Sequence, residues 1–375
     1  MPVGSRSCLI KGWCPVIADR GNGIVCQPSA AFGHPGFQNR RFWLATVAAC
    51  GGLLLCGGCT SQSLSVDTIG AIPFDGVATG LAVSGDSKYI AAASRRHFSV
   101  VDRETGTAVF DYYTDGNAII GPAVCWIDES NVLFSVAGSA LCADVHGTPN
   151  VREVCRTRHY GITQISKFQD YIAIAGDFPG DFDVRSRVEI WRRKDAVFEN
   201  VARLGTLKAN ALGMAIFDSP TCFTMATVYG DGTSATVARV DPARAWDYRV
   251  IATFPVDAYM VLAVGERGVF LRNRQRLFCF ELLDSGEQVV EKWSIPLAEE
   301  AEGYDPISSV SHRALTVLEH GRVVAAVYDR MVIVNKAGEV VFQKQQMTGA
   351  LCRLNREGVF LAAHRGQLVT YQIRE

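Results

Sequence analysis

Two cysteines in the middle of the chain lie where a disulfide bond would close a hairpin. Cys142 and Cys155 stand on either side of a turn centred between Thr148 and Pro149. A symmetric register places them opposite each other, and antiparallel partners have Cα atoms about 4.5–5.5 Å apart, which a disulfide can span. The alternative is two small apolar residues on a packed strand face, because a register shift of one residue would separate the thiols. Four other cysteines lie in apolar runs and are expected to be buried thiols: Cys125, Cys222, Cys279 and Cys352.

A cluster of acidic residues offers oxygen ligands for a metal ion. Asp177, Asp181 and Asp183 crowd one Gly-containing loop, and carboxylates at short spacing are suited to Ca²⁺. The spacing is not that of an EF-hand. Arg185 and Arg187 follow in the same loop and would neutralise the acids, so a solvated hairpin loop is the competing interpretation. No cofactor is predicted apart from this candidate calcium ion.

Three arginines alternate along a predicted strand, turn and strand. Arg272, Arg274 and Arg276 would form a basic patch for an anionic partner if all three side chains pointed to the same surface. The competing interpretation is an exposed charged hairpin without a partner.

The chain has no catalytic motif from which a reaction can be deduced. The histidines are scattered without HxH or HExxH spacing, and there is no GxSxG elbow, no Walker loop and no GxGxxG after a strand. No catalytic residue is assigned, and a non-enzymatic role is favoured over an enzymatic one.

Composition indicates a well-packed body that does not bind nucleic acid. Of the 375 residues, 48% are hydrophobic and 20% charged, which is enough for a sizeable core and argues against long disorder. The net charge is −1, so the chain lacks the basic surplus of a nucleic-acid-binding protein.

The N-terminal region has the layout of an export signal. Arg40 and Arg41 precede an apolar run that ends in small residues before Cys59. This layout predicts a secretory signal over residues 39–59, preceded by a disordered leader or over-extended start over residues 1–38. The run from Arg40 to Leu44 also resembles the twin-arginine export signal. The sequence therefore leaves the export route open between the general secretory (Sec) pathway and the twin-arginine pathway.

The end of this signal resembles the bacterial lipobox. Gly57-Gly58-Cys59 matches the small residues that precede a lipid-modified cysteine, whereas Cys56 stands where the family usually has Leu. The resemblance implies lipidation of Cys59 and an exported lipoprotein. With Thr60 next, it implies the outer membrane, with the protein facing the periplasm or the cell surface.

Residues 60–375 are organised as repeats of one β-meander. The stretch from Gly80 to Tyr112 contains four β-rich runs joined by turns, and degenerate copies follow every ~40–50 residues, the period of a propeller blade. The seventh copy has only three runs, and a spare strand at Ser65–Phe74 would supply its fourth. The predicted fold is all-β, a seven-bladed β-propeller closed by an N-terminal strand that completes the last blade.

Two short motifs resemble known propeller repeats. Asp102–Gly106 after a small-residue strand, and Glu189–Arg192 with its Trp, are similar to WD-repeat turns and strands, while Thr105-Gly106 followed by Phe110 partly matches the quinoprotein-like repeat. The resemblance implies a binding or scaffolding module that contacts envelope proteins. A propeller lipoprotein that assists outer-membrane barrel assembly serves as a model. The alternative is a periplasmic propeller enzyme of the lactonase, lyase or quinoprotein type, with a central metal or cofactor.

Overall fold

The structure is a computed structural model, and its description covers most of the chain after the predicted signal. The chain divides into two units, Met1–Cys59 and Thr60–Glu375, and every described residue belongs to the second. The described residues are 64–115, 118–147, 150–157, 161–177, 188–195, 197–204, 211–217, 223–229, 234–255, 261–264, 268–272, 276–283, 288–297, 314–327, 330–346 and 348–374.

Within these ranges, 28 strands form seven antiparallel sheets of four strands each. The first three sheets are β2–β5 (Gly80–Val83, Tyr89–Ala93, His97–Asp102, Ala108–Tyr113), β6–β9 (Ile120–Trp126, Asn131–Val136, Ser139–Asp144, Val151–Arg156) and β10–β13 (Gly161–Phe168, Tyr171–Asp177, Val188–Lys194, Val197–Leu204). The next three are β14–β17 (Ala211–Phe217, Phe223–Tyr229, Ser234–Asp241, Asp247–Pro255), β18–β21 (Val261–Val264, Gly268–Arg272, Arg276–Leu282, Val289–Pro296) and β22–β25 (Leu315–Val317, Val323–Val327, Arg330–Val334, Val340–Gln345).

The last sheet joins the two ends of the folded chain. It consists of β26 (Leu351–Arg353), β27 (Val359–His364), β28 (Gln367–Arg374) and, on its outer edge, β1 (Ser65–Pro73). Strand β1 runs antiparallel to β28, with Ser65 opposite Arg374 and Pro73 opposite Gln367. The expectation that the early strand completes the last repeat is confirmed.

The seven sheets are arranged as a ring. The first strand of each sheet contacts the first strand of the next, and β26 of the last sheet contacts β2 of the first. The approach is close enough that a Cβ on Gly80 would collide with the carbonyl group of Pro122, so only glycine fits there. This is the architecture of a β-propeller, and the predicted all-β propeller class is confirmed. The sheets are called blades 1 to 7 below, beginning with β2–β5.

Burial is greatest in the middle strands of blades 1 and 7 and least in their outer strands. All five residues of β3 and all six of β27 are buried, because both faces of these strands pack against neighbouring blades. The outer strand β5, in contrast, is mostly exposed. The apolar clusters lie between blades: one joins blades 7 and 1, another blades 1 and 2, and a third blades 2 and 3. Each blade therefore depends on its neighbours for a core.

One irregularity recurs in every blade. The register between the third and fourth strands shifts by a residue, as it does between Val100 and Val101 in blade 1 and between Thr68 and Gly70 in blade 7. A β-bulge of this kind bends the outer strand and increases its twist.

The strand directions define two faces of the ring. The lower face carries the turns after the first and third strands of each blade, and the upper face carries the turns after the second strand and the links between blades. Because β1 is antiparallel to β28, the chain enters at the lower face with Ser65 and reaches the upper face with Pro73. Two short 3-10 turns, Pro242–Arg244 and Glu319–Gly321, complete the described elements. Among all the residues that the structure describes, no helix is long and apolar enough to cross a membrane.

Ring closure predicts that two isoleucines of β1 contribute very differently to the free energy of unfolding. Ile72 is 7% exposed and packs in the cluster between blades 7 and 1, whereas Ile69 is 45% exposed. We expect Ile72→Ala to lower the free energy of unfolding by about 2–4 kcal/mol, because it leaves a cavity at the closing strand. Ile69→Ala is the matched control and should change it by about 0.5 kcal/mol or less. If urea unfolding shows that both variants lose the same free energy of unfolding, the closure of the ring by β1 is contradicted.

Candidate functional site

The two cysteines expected to face each other do not. Cys142 lies opposite Arg152 and Cys155 opposite Ala140. Ala143 pairs with Val151, so the hairpin is centred at position 147 rather than between Thr148 and Pro149, and the bulge after Ala140 changes the register by one residue farther from the turn. The predicted opposition is wrong, and both thiols are free and buried, as the alternative interpretation had it. They pack in the apolar cluster between blades 2 and 3.

Burial makes these thiols poor nucleophiles. It raises the pKa of Cys155 to about 12, mainly through desolvation and further through the nearby carboxylate of Glu189. It likewise raises the pKa of Cys279 to about 11 and that of Cys142 above its usual value. A thiol that stays protonated at neutral pH neither attacks a substrate nor binds a metal readily.

The predicted calcium ligands and the lipidation site lie largely beyond what the structure describes. Asp177 is the last residue of β11, while Asp181, Asp183 and Cys59 are outside the described residues. Among the described residues, no group of three or more His, Cys, Asp or Glu side chains could hold a metal ion. The calcium site and the lipid anchor stay predictions.

The predicted basic patch differs from what the structure shows. Arg272 ends β19 and is only 5% exposed, because the last four residues of that strand are buried between blades. Arg276 begins β20, is exposed and donates a 2.8 Å hydrogen bond to Ser294 Oγ, and Arg274 is outside the described residues. The expectation of an exposed patch that includes Arg272 is wrong.

A polar cleft opens on the lower face of blade 2. It has a volume of about 360 Å³ and is lined by Asn131, Cys142, Asp144, Asn150 and Arg152. The raised pKa of Cys142 deprives the cleft of a reactive nucleophile.

The upper face contains a buried histidine that sequence reasoning missed. The ring of His97 is stacked between Tyr113, with centroids 4.3 Å apart and planes 7° apart, and Phe74, at 5.4 Å and 16°. Its Nε2 lies 2.8 Å from Asp111 Oδ1 and donates a hydrogen bond to that carboxylate. The His97 side chain is 9% exposed against 43% for Asp111, and its buried Nδ1 has no hydrogen-bond partner among the described residues.

This stack joins blades 7 and 1. Phe74 follows β1 and its N–H donates to the carbonyl oxygen of Gly366 in blade 7, whereas His97 and Tyr113 are paired residues of β4 and β5 in blade 1. The pairing of β4 with β5 brings His97 and Tyr113 together within blade 1, and the placement of β1 beside β28 adds the ring of Phe74.

An exposed surface lies on top of the stack. We call it the blade 1 turn surface, formed by Arg95, Arg96, Tyr113 and Ile119. Both arginines are exposed in the turn after β3, Tyr113 is 60% exposed and Ile119 is 46% exposed. Tyrosine and arginine are among the residue types most enriched in the energetically important part of a protein interface.

Comparison with known proteins agrees with the fold. No protein-family model matches the chain, and no curated protein matches it. Among solved structures, the β-propeller domain of Cps50 (Swd1) from Myceliophteria thermophila has a TM-score of 0.61 at 12% identity, covering 83% of this chain and 100% of that one. BamB from Moraxella catarrhalis has a TM-score of 0.50 at 12% identity, covering 82% and 98%. These likenesses show the propeller fold alone.

The buried thiol of Cys155 predicts a pH dependence of stability. Its pKa is about 12 in the folded protein against 9.0 normally, so between these values the folded state keeps a proton that the unfolded state loses. The stabilising contribution is present below pH ~9 and is lost as pH rises, by up to about 1.4 kcal/mol per pH unit. Urea unfolding from about pH 8 to 10.5 should therefore show a steeper loss for the native protein than for Cys155→Ala. If the free energy of unfolding falls with pH equally in the native protein and in Cys155→Ala, the burial of this thiol is contradicted.

Two histidines provide a matched pair for testing the aromatic stack. His97 and His320 both contact a carboxylate, at 2.8 Å and 2.9 Å, but the His320 side chain is 69% exposed. We expect His97→Ala to lower the free energy of unfolding by about 2–4 kcal/mol, because stacking and a largely buried hydrogen bond are lost. His320→Ala should cost about 0.5 kcal/mol or less, because its ion pair is solvated. The account fails if thermal and urea unfolding rank the two variants in the opposite order.

Proposed function

We propose that this protein is an envelope-anchored β-propeller that binds partner proteins through its upper face. The observation that carries the proposal is the blade 1 turn surface. Large apolar side chains and two arginines are exposed there on a rigid support, and such residues gain most from being covered by another protein. Binding residues in propellers are carried by turns and loops, while the strands provide the framework.

The anchoring half of the proposal is supported by the N-terminal sequence. The lipobox-like run ends at Cys59, and only residues 60–64 separate it from the first residue of β1. A lipid on Cys59 would therefore hold the folded domain within a short distance of the membrane. The functional assignment to protein binding is made at the level of the fold and its surface.

Substitution of the lipobox cysteine tests the anchor. In a bacterium that produces the full chain, the native protein should fractionate with membranes and mass spectrometry should find a lipid-modified N-terminal Cys59. Cys59→Ser should be recovered in the soluble exported fraction, because the lipid attachment atom is gone. The matched control Cys56→Ser should stay with membranes. Retention of both variants, or an unmodified Cys59 in the native protein, would contradict the proposal.

The same cells test the binding role. Chemical crosslinking of intact cells followed by purification should recover specific envelope proteins with the native chain and with Cys56→Ser. A purified protein that instead carries a stoichiometric metal ion or a quinone, with no crosslinked partner, would favour the propeller enzyme.

A further inference from the structure

We propose that the blade 1 turn surface binds an extended segment of a partner protein in which acidic side chains flank an apolar one, and that the tether holds this surface away from the membrane. The proposal rests on the proposed function for the position of the anchor. The acidic and apolar chemistry of the ligand is inferred from the surface itself, whereas the choice of a protein over a lipid surface rests on the position of the anchor.

The two arginines supply the charge recognition. Arg95 and Arg96 are consecutive and exposed, and neither forms an ion pair with another described residue. A guanidinium binds a planar anionic group such as a carboxylate through two parallel hydrogen bonds, and it binds a phosphate in the same way. Of the acids nearby, Asp111 is already engaged by His97, and Asp115 is exposed at the edge of the surface.

The apolar part of the surface is preorganised. Tyr113 is stacked on the buried ring of His97, so its ring is held in place while 60% of the residue is exposed. A partner that packs against a fixed aromatic ring loses less conformational entropy than one that must order a mobile side chain. Ile119 adds an exposed aliphatic side chain from the segment next to the arginine turn, where the N–H of Ile120 donates to the carbonyl oxygen of Arg95.

Backbone hydrogen bonds hold the two segments of the surface together. The N–H of Ile120 donates to the carbonyl oxygen of Arg95 at 2.9 Å, and that of Thr114 donates to Arg96 at 3.1 Å. On the other side, Ala137 N–H donates to the carbonyl oxygen of Ile119 at 3.1 Å. Backbone hydrogen bonds therefore join the turn after β3 and the link to blade 2 into one unit.

The position of the first residue of β1 favours a protein over a lipid surface as the ligand of the blade 1 turn surface. Ser65 lies at the lower face, and residues 60–64 span at most about 20 Å when fully extended. A lipid on Cys59 therefore holds the lower face near the bilayer. The nine residues of β1 span about 25 Å from the lower to the upper face, so the blade 1 turn surface lies on the far side of the ring.

Peptide binding tests the ligand chemistry. The probes are fluorescent 12-residue peptides with Glu or Asp on both sides of Leu or Phe, an otherwise identical peptide with Lys replacing the acids, and an acidic peptide with Ser replacing the apolar residues. We expect the acidic–apolar peptide alone to bind the folded protein in anisotropy titrations. Its affinity should fall several-fold between about 50 and 300 mM NaCl, because the contacts are partly ionic.

Matched variants locate the site. Arg95→Glu/Arg96→Glu should weaken binding about 10-fold or more, and Ile119→Asp should do the same. The controls lie elsewhere on the same blade: Arg103→Glu on the exposed lower turn and Val109→Asp on the exposed outer strand should leave affinity unchanged. The proposal is overturned if no acidic–apolar peptide binds the native protein, or if the control variants weaken binding equally. Arg95-dependent binding of the unlipidated protein to vesicles of phosphatidylglycerol would also overturn it, in favour of a lipid surface.

A second measurement tests the orientation separately. Fluorescent reporters attached at position 104 on the lower face or position 115 on the upper face of the lipidated protein are compared in vesicles containing nitroxide-labelled lipid. We expect stronger quenching at position 104, and equal or reversed quenching would overturn the orientation. An unmodified Cys59 with intact peptide binding would refute the anchor of the proposed function while leaving the ligand chemistry standing.

Discussion

The antiparallel pairing of β1 with β28 is the interaction on which the rest of the structure depends. It joins residues separated by almost the whole folded chain and places Ile72 in the core between blades 7 and 1. No blade can bury both of its faces alone, so an open array would expose the apolar faces at its two ends. Closing the ring removes those ends. The pairing is therefore a requirement for the stability of every blade.

The same pairing determines where functional groups lie. It brings Phe74 against the ring of His97, which is stacked on Tyr113 at the upper face. It also places Ser65 at the lower face, opposite the exposed turn that carries Arg95 and Arg96. If Cys59 carries the proposed lipid, the anchor and the blade 1 turn surface lie on opposite faces of the ring. In this account, one set of backbone hydrogen bonds governs both how the protein is tethered and which face remains free for a partner.

The sequence predicted the framework better than the sites. Turn residues and β-rich runs located the repeats, and the three-run final repeat identified β1 as the closing strand. The opposition of Cys142 and Cys155 was wrong because Ala143 pairs with Val151, which centres the hairpin at position 147 instead of between Thr148 and Pro149. The exposed patch was wrong for Arg272 because most of β19 is buried between blades, so its residues do not alternate between buried and exposed. The His97 stack was missed because Phe74, which follows β1, meets the blade 1 rings only after the ring closes.

The central claim is that the closed ring presents its upper face, at blade 1, to a protein partner. Site-specific photocrosslinking in intact cells tests it most directly, with the photoreactive residue placed at position 119 on the upper face or at position 104 on the lower face. The account predicts discrete adducts with an envelope protein from position 119, and their disappearance when Arg95 and Arg96 are both changed to Glu. Equal adducts from both positions, or adducts from position 104 alone, would contradict it.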